Sequence, residues 1–162
     1  MTAQGLPGSS TSLSPEDATG LRLAIAQSHL AHDRGDKPYG AVLVGAHGKL
    51  LWQEGNRQVS EHDPTAHAEL NLIREAARAL GREALEGGTI YASGEPCAMC
   101  AAAIYWSGIA RVVFGLGVAA MHRLDPSDTE PAMPDCREVL ARGSRPVEVV
   151  GPHLEHEASA AF

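Results

Sequence analysis

Two short segments, far apart along the chain, constrain this sequence more than any other feature. The first is His67-Ala68-Glu69, and the second is Pro96-Cys97-Ala98-Met99-Cys100. Each segment follows a loop and lies where a helix is expected to begin. A fold that uses the chemistry of both must therefore bring two helix starts together.

The thiols and the imidazole of these segments predict a zinc site. Cys97 and Cys100 would lie one turn apart on one helix face, and a helix N-terminus favours the thiolate form. His67 adds a neutral imidazole. Three protein ligands leave a fourth position for water, which is the arrangement of a catalytic rather than a closed structural zinc site. We therefore expect one Zn²⁺ per chain.

Glu69 is the predicted catalytic residue. It lies about 200° around an ideal helix from His67, so the two side chains converge only on a metal beyond the helix end. We expect this helix to begin at Asp63-Pro64, so that His67 and Glu69 both lie near its N-terminal end. The helix that carries Cys97 and Cys100 is expected to begin at Pro96. A carboxylate beside zinc-bound water can accept a proton and return it to a leaving group.

Other interpretations of the cysteines are weaker. Cys97 and Cys100 alone could form a redox pair or half of a structural zinc ribbon, but the chain has no second Cys-x-x-Cys. Cys136 has no partner in the pattern and is expected to be a small, partly buried residue. A zinc-stabilised scaffold without activity is the alternative from another class, and Glu69 argues against it.

The rest of the chain predicts a single α/β domain over residues 14–162, preceded by a mobile Gly- and Ser-rich leader at 1–13. Strands are expected near 39–45, 50–54, 89–93, 111–114 and 147–150. The Pro- and Asp-rich loop at 125–135 is a candidate lid or interface segment. Neither a secretory signal nor an apolar run of about 18 residues occurs, so we expect a cytoplasmic protein with no membrane partner.

The two motifs resemble those of the cytidine deaminase-like superfamily, the zinc-dependent base deaminases, whose signature is His-x-Glu with Pro-Cys-x-x-Cys. The resemblance covers about residues 39–115. It implies a three-layer α/β/α sandwich with a five-stranded mixed sheet and a homodimer. It also implies that His67, Cys97 and Cys100 bind zinc, that Glu69 moves protons, and that water displaces ammonia from an amine-bearing ring carbon.

Three further residues enter through this resemblance as substrate-binding candidates. Asn56 resembles the loop asparagine that hydrogen-bonds the base, and the backbone of Ala68 is expected to contact its ring. Trp106 could cover a flat base across a dimer interface. It lies about 180° around its helix from Cys97, however, so a packing role fits equally well.

Two branches of the superfamily compete for the substrate. The run at 63–69 occurs in guanine deaminases and in tRNA adenosine deaminases, whereas 103–106 is more similar to the guanine branch. With 13 basic and 20 acidic residues the net charge is −7, which disfavours a polyanion. The candidates for a basic patch are Arg111, Arg137, Arg142 and Arg145. We therefore expect a small base or nucleoside, guanine first, with a tRNA adenosine, cytosine or another amino-heterocycle as alternatives.

One departure from the guanine branch is visible. Guanine deaminases of this type use acidic residues after the fourth strand and near the C-terminus, but residues 115–124 contain none. Four other acids could substitute, but the sequence alone does not align them with the acids of guanine deaminases. They are Asp125, Asp128, Glu155 and Glu157.

Overall fold

A mixed five-stranded sheet organises the protein. The computed structural model describes residues 12–128 and 132–162, so nearly all of the predicted leader at 1–13 lies outside the described residues. The strands are β1 (Gly40–Val44), β2 (Leu50–Gly55), β3 (Thr89–Gly94), β4 (Arg111–Leu116) and β5 (Glu148–Val150). Their order is β2-β1-β3-β4-β5. β1 pairs antiparallel with β2 and β3, while β3, β4 and β5 are parallel, which confirms the mixed sheet.

Helices cover both faces of this sheet. They are α1 (Pro15–Asp33), α2 (Ala68–Leu80), α3 (Ala98–Ser107), α4 (Val118–Leu124), α5 (Cys136–Ala141) and α6 (Glu155–Ser159), with a 3₁₀ turn at Arg82–Ala84. Strand side chains alternate between the faces. Ala41 and Leu43 pack with α2, α3 and α5, whereas Val42 packs with α1, α4 and α6. The predicted three-layer sandwich is therefore confirmed.

Both helices that carry the motifs begin later than the sequence predicts. Asp63 does not cap α2, because its Oδ1 accepts hydrogen bonds from the backbone N–H and the hydroxyl of Thr65 within a turn. The N-cap of α2 is His67, and the N-cap of α3 is Cys97, both in extended backbone conformations. His67 and Glu69 therefore flank the start of the helix, which explains how they face one region despite their spacing.

Strand direction brings the candidate residues to one edge of the sheet. The parallel strands β3 and β4 and the strand β2 end at this edge, and β1 begins there because it is antiparallel to its neighbours. The N–H of Asn56, just after β2, donates to the carbonyl of Tyr39, just before β1. Ligands of α/β folds bind outside the carboxyl ends of parallel strands, and this edge holds both motifs. Within the described residues, no helix is long and apolar enough to cross a membrane.

A buried ion pair joins α1 to the middle of the sheet. The carboxylate of Asp17, whose side chain is 6% exposed, accepts a hydrogen bond from Arg111 Nη2 at 2.7 Å and one from the Tyr91 hydroxyl at 2.9 Å. The Arg111 guanidinium holds the pKa of Asp17 below its usual range. This pair therefore links three elements through one carboxylate.

Replacing Asp17 with asparagine is expected to lower the free energy of unfolding by about 3 kcal/mol at pH 7. That is the low end for breaking a buried pair, because Arg111 is 25% exposed. Since folding lowers the pKa of Asp17, its stabilisation is complete above the unfolded pKa of about 3.9 and disappears as pH falls through the folded pKa. Urea unfolding at pH 7 and pH 3 should show the difference between wild type and D17N shrinking at the lower pH.

The matched control is Glu157→Gln, which breaks the exposed pair between Glu157 and Arg22. An exposed pair contributes up to about 1 kcal/mol. Equal losses in D17N and E157Q would contradict the structural importance assigned to Asp17.

Candidate zinc centre and substrate cavity

Two helix starts bring the three candidate metal ligands together. One imidazole nitrogen of His67 and the sulfurs of Cys97 and Cys100 all lie within 4.8 Å of one another. The sulfur of Cys97 is 3.5 Å from His67 Nδ1. Neighbouring ligands of a tetrahedral zinc are separated by about 3.3 to 3.8 Å when metal–ligand bonds are 2.0–2.3 Å. The cluster therefore fits a zinc ion.

The electrostatics of the two cysteines suit a cation. A hydrogen bond from the Cys100 thiol, supported by His67, lowers the pKa of Cys97 to about 4. The same hydrogen bond and burial raise the pKa of Cys100 well above its usual value. Cys97 is thus a thiolate at neutral pH, and Cys100 must release a proton to act as a second thiolate ligand. Metal affinity is accordingly expected to increase with pH.

Glu69 lies beside this cluster without belonging to it. It is in the first turn of α2, only 6% exposed, and lines the same cavity as His67 and Cys97. Burial raises the pKa of its carboxyl to about 7. A carboxyl with a pKa near 7 can both accept and return a proton at neutral pH, which is what a general acid and base requires.

His67 and Cys97 of the cluster line a cavity of about 370 Å³. Pockets of roughly 300–1,000 Å³ accommodate small organic ligands. The walls come from the loops after β2 and β3, the residue before β1, the start of α4 and the segment before α5. Residues of these walls include Tyr39, Asn56, Gln58, Ala68, Glu95, Val118, Met121, Asp128, Met133 and Asp135.

The structure brings Asn56 and Ala68 to the cavity but leaves Trp106 outside its lining. Asn56 is 1% exposed, and its amide exchanges two hydrogen bonds with Gln58, at 2.6 and 2.9 Å. Ala68 is fully buried. The indole of Trp106 is at the far end of α3, 76% exposed, and contacts the ring of Tyr105 edge-on at 5.7 Å.

Glu95 is a cavity residue to which the sequence pattern assigned no role. Its Oε2 accepts a hydrogen bond from the N–H of Val118 at 3.1 Å, and its Oε1 accepts one from Cys136 at 3.4 Å. One carboxylate therefore anchors the starts of α4 and α5 to the motif-bearing loop. The sequence feature that could have identified Glu95 is its position directly before Pro96, at the start of the cysteine motif. Cys136 itself is fully buried, whereas the sequence predicted a small, partly buried residue.

The four acids that the sequence could not align differ in whether they line the cavity. Only Asp128 lines the cavity, where its side chain is 13% exposed and its Oδ1 pairs with the ammonium group of Lys37. Asp125 accepts hydrogen bonds from Ser127, and Glu157 pairs with Arg22. Glu155 starts the short helix α6, away from the cavity lining.

Three of the four arginines considered for a basic patch make internal contacts. Arg111 pairs with the carboxylate of Asp17, Arg145 donates to the carbonyl of Tyr105, and Arg137 donates to the carbonyl of Gly151. The fourth, Arg142, is 81% exposed and pairs at 3.6 Å with Glu138, which is itself exposed. Arg111, Arg137 and Arg145 therefore act as structural groups, whereas Arg142 is a surface cation.

Comparison with known proteins agrees with this geometry. Residues 14–116 match the family model for the cytidine and deoxycytidylate deaminase zinc-binding region. A probable cytosine deaminase of Schizosaccharomyces pombe is 41% identical over 152 residues, which cover 93% of this chain and 92% of that protein.

Two solved structures share the fold. One, from a study of A-to-I editing by tRNA:A34 deaminases, has 32% identity and a TM-score of 0.73, covering 90% of this chain and 99% of its own. The other is a guanine deaminase from Bacillus subtilis, with 29% identity and a TM-score of 0.63, covering 86% of this chain and 87% of its own.

The sandwich fold, the His-Cys-Cys cluster and the adjoining cavity define a zinc-type hydrolytic deaminase of nucleobases or nucleosides. The chain belongs to the cytidine and deoxycytidylate deaminase family. It is therefore an enzyme that cleaves C–N bonds, and the interpretation as a zinc scaffold without activity is not supported.

Proposed function

We propose that this enzyme deaminates a free amino-substituted nucleobase, with guanine as the first candidate. The observation that carries the proposal is the carboxylate of Asp128 in the wall of the cavity that also contains Glu69. Guanine presents ring and amino N–H groups side by side. One oxygen of the Asp128 carboxylate pairs with Lys37, but a carboxylate has about four acceptor positions and can still accept such donors. Guanine deaminases of this type use an acidic residue after the fourth strand, where residues 115–124 contain none, and Asp128 is proposed to take that role.

Each cavity residue has a proposed role in this reaction. His67, Cys97 and Cys100 would hold zinc, which when bound lowers the pKa of water to about 7 and so favours hydrolysis at neutral pH. Glu69 accepts one proton of the attacking water and delivers it to the ring nitrogen. It then takes the second proton from the newly added hydroxyl and delivers it to the amino group, which leaves as ammonia.

Asn56 and Ala68 are proposed to orient the base. The Asn56 amide is held by Gln58, so it is fixed before substrate arrives. A preorganised amide binds without the entropic cost of immobilising a free side chain. Ala68, between His67 and Glu69, lines the cavity, and its backbone is proposed to contact the ring.

A free base suits the surface better than RNA. The net charge is −7, and Arg111, Arg137 and Arg145 already bind a carboxylate or carbonyls within the chain. Affinity for nucleic acid depends on cations that neutralise phosphates, and these three arginines would have to break their internal contacts to contribute.

Cytosine is the second candidate. The alignment with a probable cytosine deaminase, at 41% identity overall, covers 93% of this chain and 92% of that protein, and so includes α4 and α5. The relationship therefore extends over the part of the chain that contributes Asp128 and Met133 to the cavity wall.

We also propose that the chain forms a homodimer and that Trp106 acts there. An indole that is 76% exposed leaves a large apolar surface in water, and aromatic residues are enriched in protein interfaces. Trp106 lies outside the cavity of its own chain, so a role in substrate binding would require a partner subunit.

The test of the substrate is an ammonia-release screen over guanine, cytosine, adenine, their nucleosides and a tRNA anticodon stem. We expect guanine to have the highest kcat/KM. Asp128→Asn should lower kcat/KM for guanine by about 10-fold or more, because a hydrogen bond to a charged group contributes about 1.5–3 kcal/mol.

The control for the Asp128 variant is Glu155→Gln, which changes an acid outside the cavity lining and should leave the substrate profile intact. Turnover of cytosine but not guanine would favour the second candidate. Activity on the anticodon stem alone would overturn the proposal of a free base.

A further inference from the structure

Glu95 connects the loop that carries the cysteine motif to a second part of the cavity wall. It lines the cavity two residues before Cys97, and its backbone N–H donates to the carbonyl of Leu116, at the end of β4, at 2.7 Å. Its carboxylate accepts two further backbone N–H groups, that of Val118 at 3.1 Å and that of Cys136 at 3.4 Å. Each side-chain oxygen is therefore bonded to the start of a different helix.

The two N–H groups lie at the ends of one stretch of the chain, which we call the wall segment. It runs from the first residue of α4 to the first residue of α5 and comprises the described residues 118–128 and 132–136. Between these ends, Asp128 also pairs with Lys37. The cavity-lining residues of the wall segment are Val118, Met121, Asp128, Met133, Pro134 and Asp135. One carboxylate thus holds both ends of the stretch that carries the proposed substrate acid.

The start of α4 depends on Glu95 because its own N-cap residue has no acceptor. That residue is Gly117, whereas a helix is usually capped by a side-chain oxygen of the N-cap residue itself. Glu95 supplies the oxygen from 23 residues away. The helix α5 differs, since its N-cap Asp135 accepts the N–H of Glu138 at 2.8 Å. The position of α4 is therefore tied to the loop that carries the cysteines.

We propose that Glu95 is a positioning residue that sets the distance between the cysteine motif and Asp128, and so determines how tightly the base binds. The proposal rests on the proposed function, because Asp128 has this importance only if it contacts the base. A base whose amino-bearing carbon faces the metal ligands reaches Asp128 only when the wall segment lies at the matching distance. Displacements of about 1 Å can cost about 10²-fold in rate, so a small shift is enough. Glu95 acts through the wall segment and needs no contact with the reacting atoms.

The first test is Glu95→Gln in the ammonia-release screen. Glutamine has the same length, but its NH₂ group is a donor, so only one of the two N–H groups keeps an acceptor. KM for the preferred base should increase by about 10-fold, while kcat stays within about 3-fold of wild type, because the metal ligands and Glu69 are unchanged. The variant should retain one zinc per chain.

A double-mutant cycle with Asp128→Asn separates positioning from a general structural effect. If Glu95 acts through Asp128, its replacement has little further effect once that carboxylate is gone. Each single variant is expected to lose about 10-fold in kcat/KM. The double variant should therefore also lose about 10-fold, whereas independent effects would multiply to about 100-fold.

Val118→Pro tests the same hydrogen bond from the donor side, and it decides the question if Glu95→Gln does not fold. Proline suits the first position of a helix, and Gly117 before it is extended, with φ −73° and ψ 162°, as proline requires. The variant removes the N–H that Glu95 binds and leaves the carboxylate intact. KM should increase more in Val118→Pro than in Val118→Ala, which also shortens the side chain but keeps the N–H.

Asp17→Asn controls for lost stability alone. Asp17 is also a carboxylate that joins several elements, but it lies outside the cavity lining. The variant should unfold at lower urea than wild type and keep the wild-type KM.

Two results would overturn the inference: an unchanged KM in both Glu95→Gln and Val118→Pro, or losses that multiply in the double variant. Failure of the proposed function is distinguishable, because wild type itself would then release ammonia from no free base, and the inference would fall with it.

Discussion

Glu69→Gln is expected to reduce ammonia release by 10²–10⁴-fold, the usual contribution of a positioned general acid and base. Glutamine preserves the shape of the buried side chain but can neither accept nor return a proton in this role. Because Glu69 lies beside the metal-binding cluster and outside it, the variant should retain one zinc per chain. The measurements are steady-state ammonia release and metal analysis of the same preparation.

Two further variants sharpen this result. Glu69→Ala should be equally inactive and also keep its zinc. Glu75→Gln changes an acid on the same helix that pairs with Arg78 on the surface, and it should match wild type. More than a tenth of wild-type activity in Glu69→Gln would show that another group moves the protons.

Cys97→Ser is expected to abolish activity by removing a metal ligand. Its thiol has a pKa of about 4 and is ready to bind a cation, whereas a serine hydroxyl stays protonated at neutral pH. Changes around a metal's ligands already cost about 10–100-fold in affinity, so we expect loss of a ligand to weaken zinc binding by at least 100-fold. Metal content after dialysis against a weak chelator measures this directly.

Cys136→Ala provides the control for the cluster. Cys136 is buried in the core with Leu140, and it is outside the group of ligand atoms. The variant should keep one zinc per chain and most of the activity, with some loss of stability from the smaller side chain. Stoichiometric zinc in Cys97→Ser, or its loss in Cys136→Ala, would contradict the assignment of ligands.

The two motifs could be recognised from the sequence because their chemistry depends on residues that are close together along the chain. Two cysteines three residues apart and a histidine with a nearby acid are compatible with few roles, and the structure does assemble His67, Cys97 and Cys100. The starts of the helices were misjudged because Asp63-Pro64 has the composition of a cap. The tertiary structure instead uses Asp63 in a turn with Thr65.

The cavity wall was much less predictable. Asp128 and Tyr39 reach the cavity through loop paths and strand order, which bring together residues with no shared local pattern. The contacts of the arginines were also not predictable. Arg111 and Arg145 look like surface cations in the sequence, but in the structure they make internal contacts.

The class of chemistry, the zinc ligands to be tested and the alternation of strands and helices could therefore be predicted from the amino-acid sequence. These depend on residue type and on spacing within one helix turn or one strand. The folded chain was needed to show which acid lines the cavity and which arginines make internal contacts. It was also needed to show that the Tyr39 hydroxyl is enclosed without a hydrogen-bond partner among the described residues. Those facts depend on the order β2-β1-β3-β4-β5, which brings distant loops to one edge of the sheet, and no local pattern encodes that order.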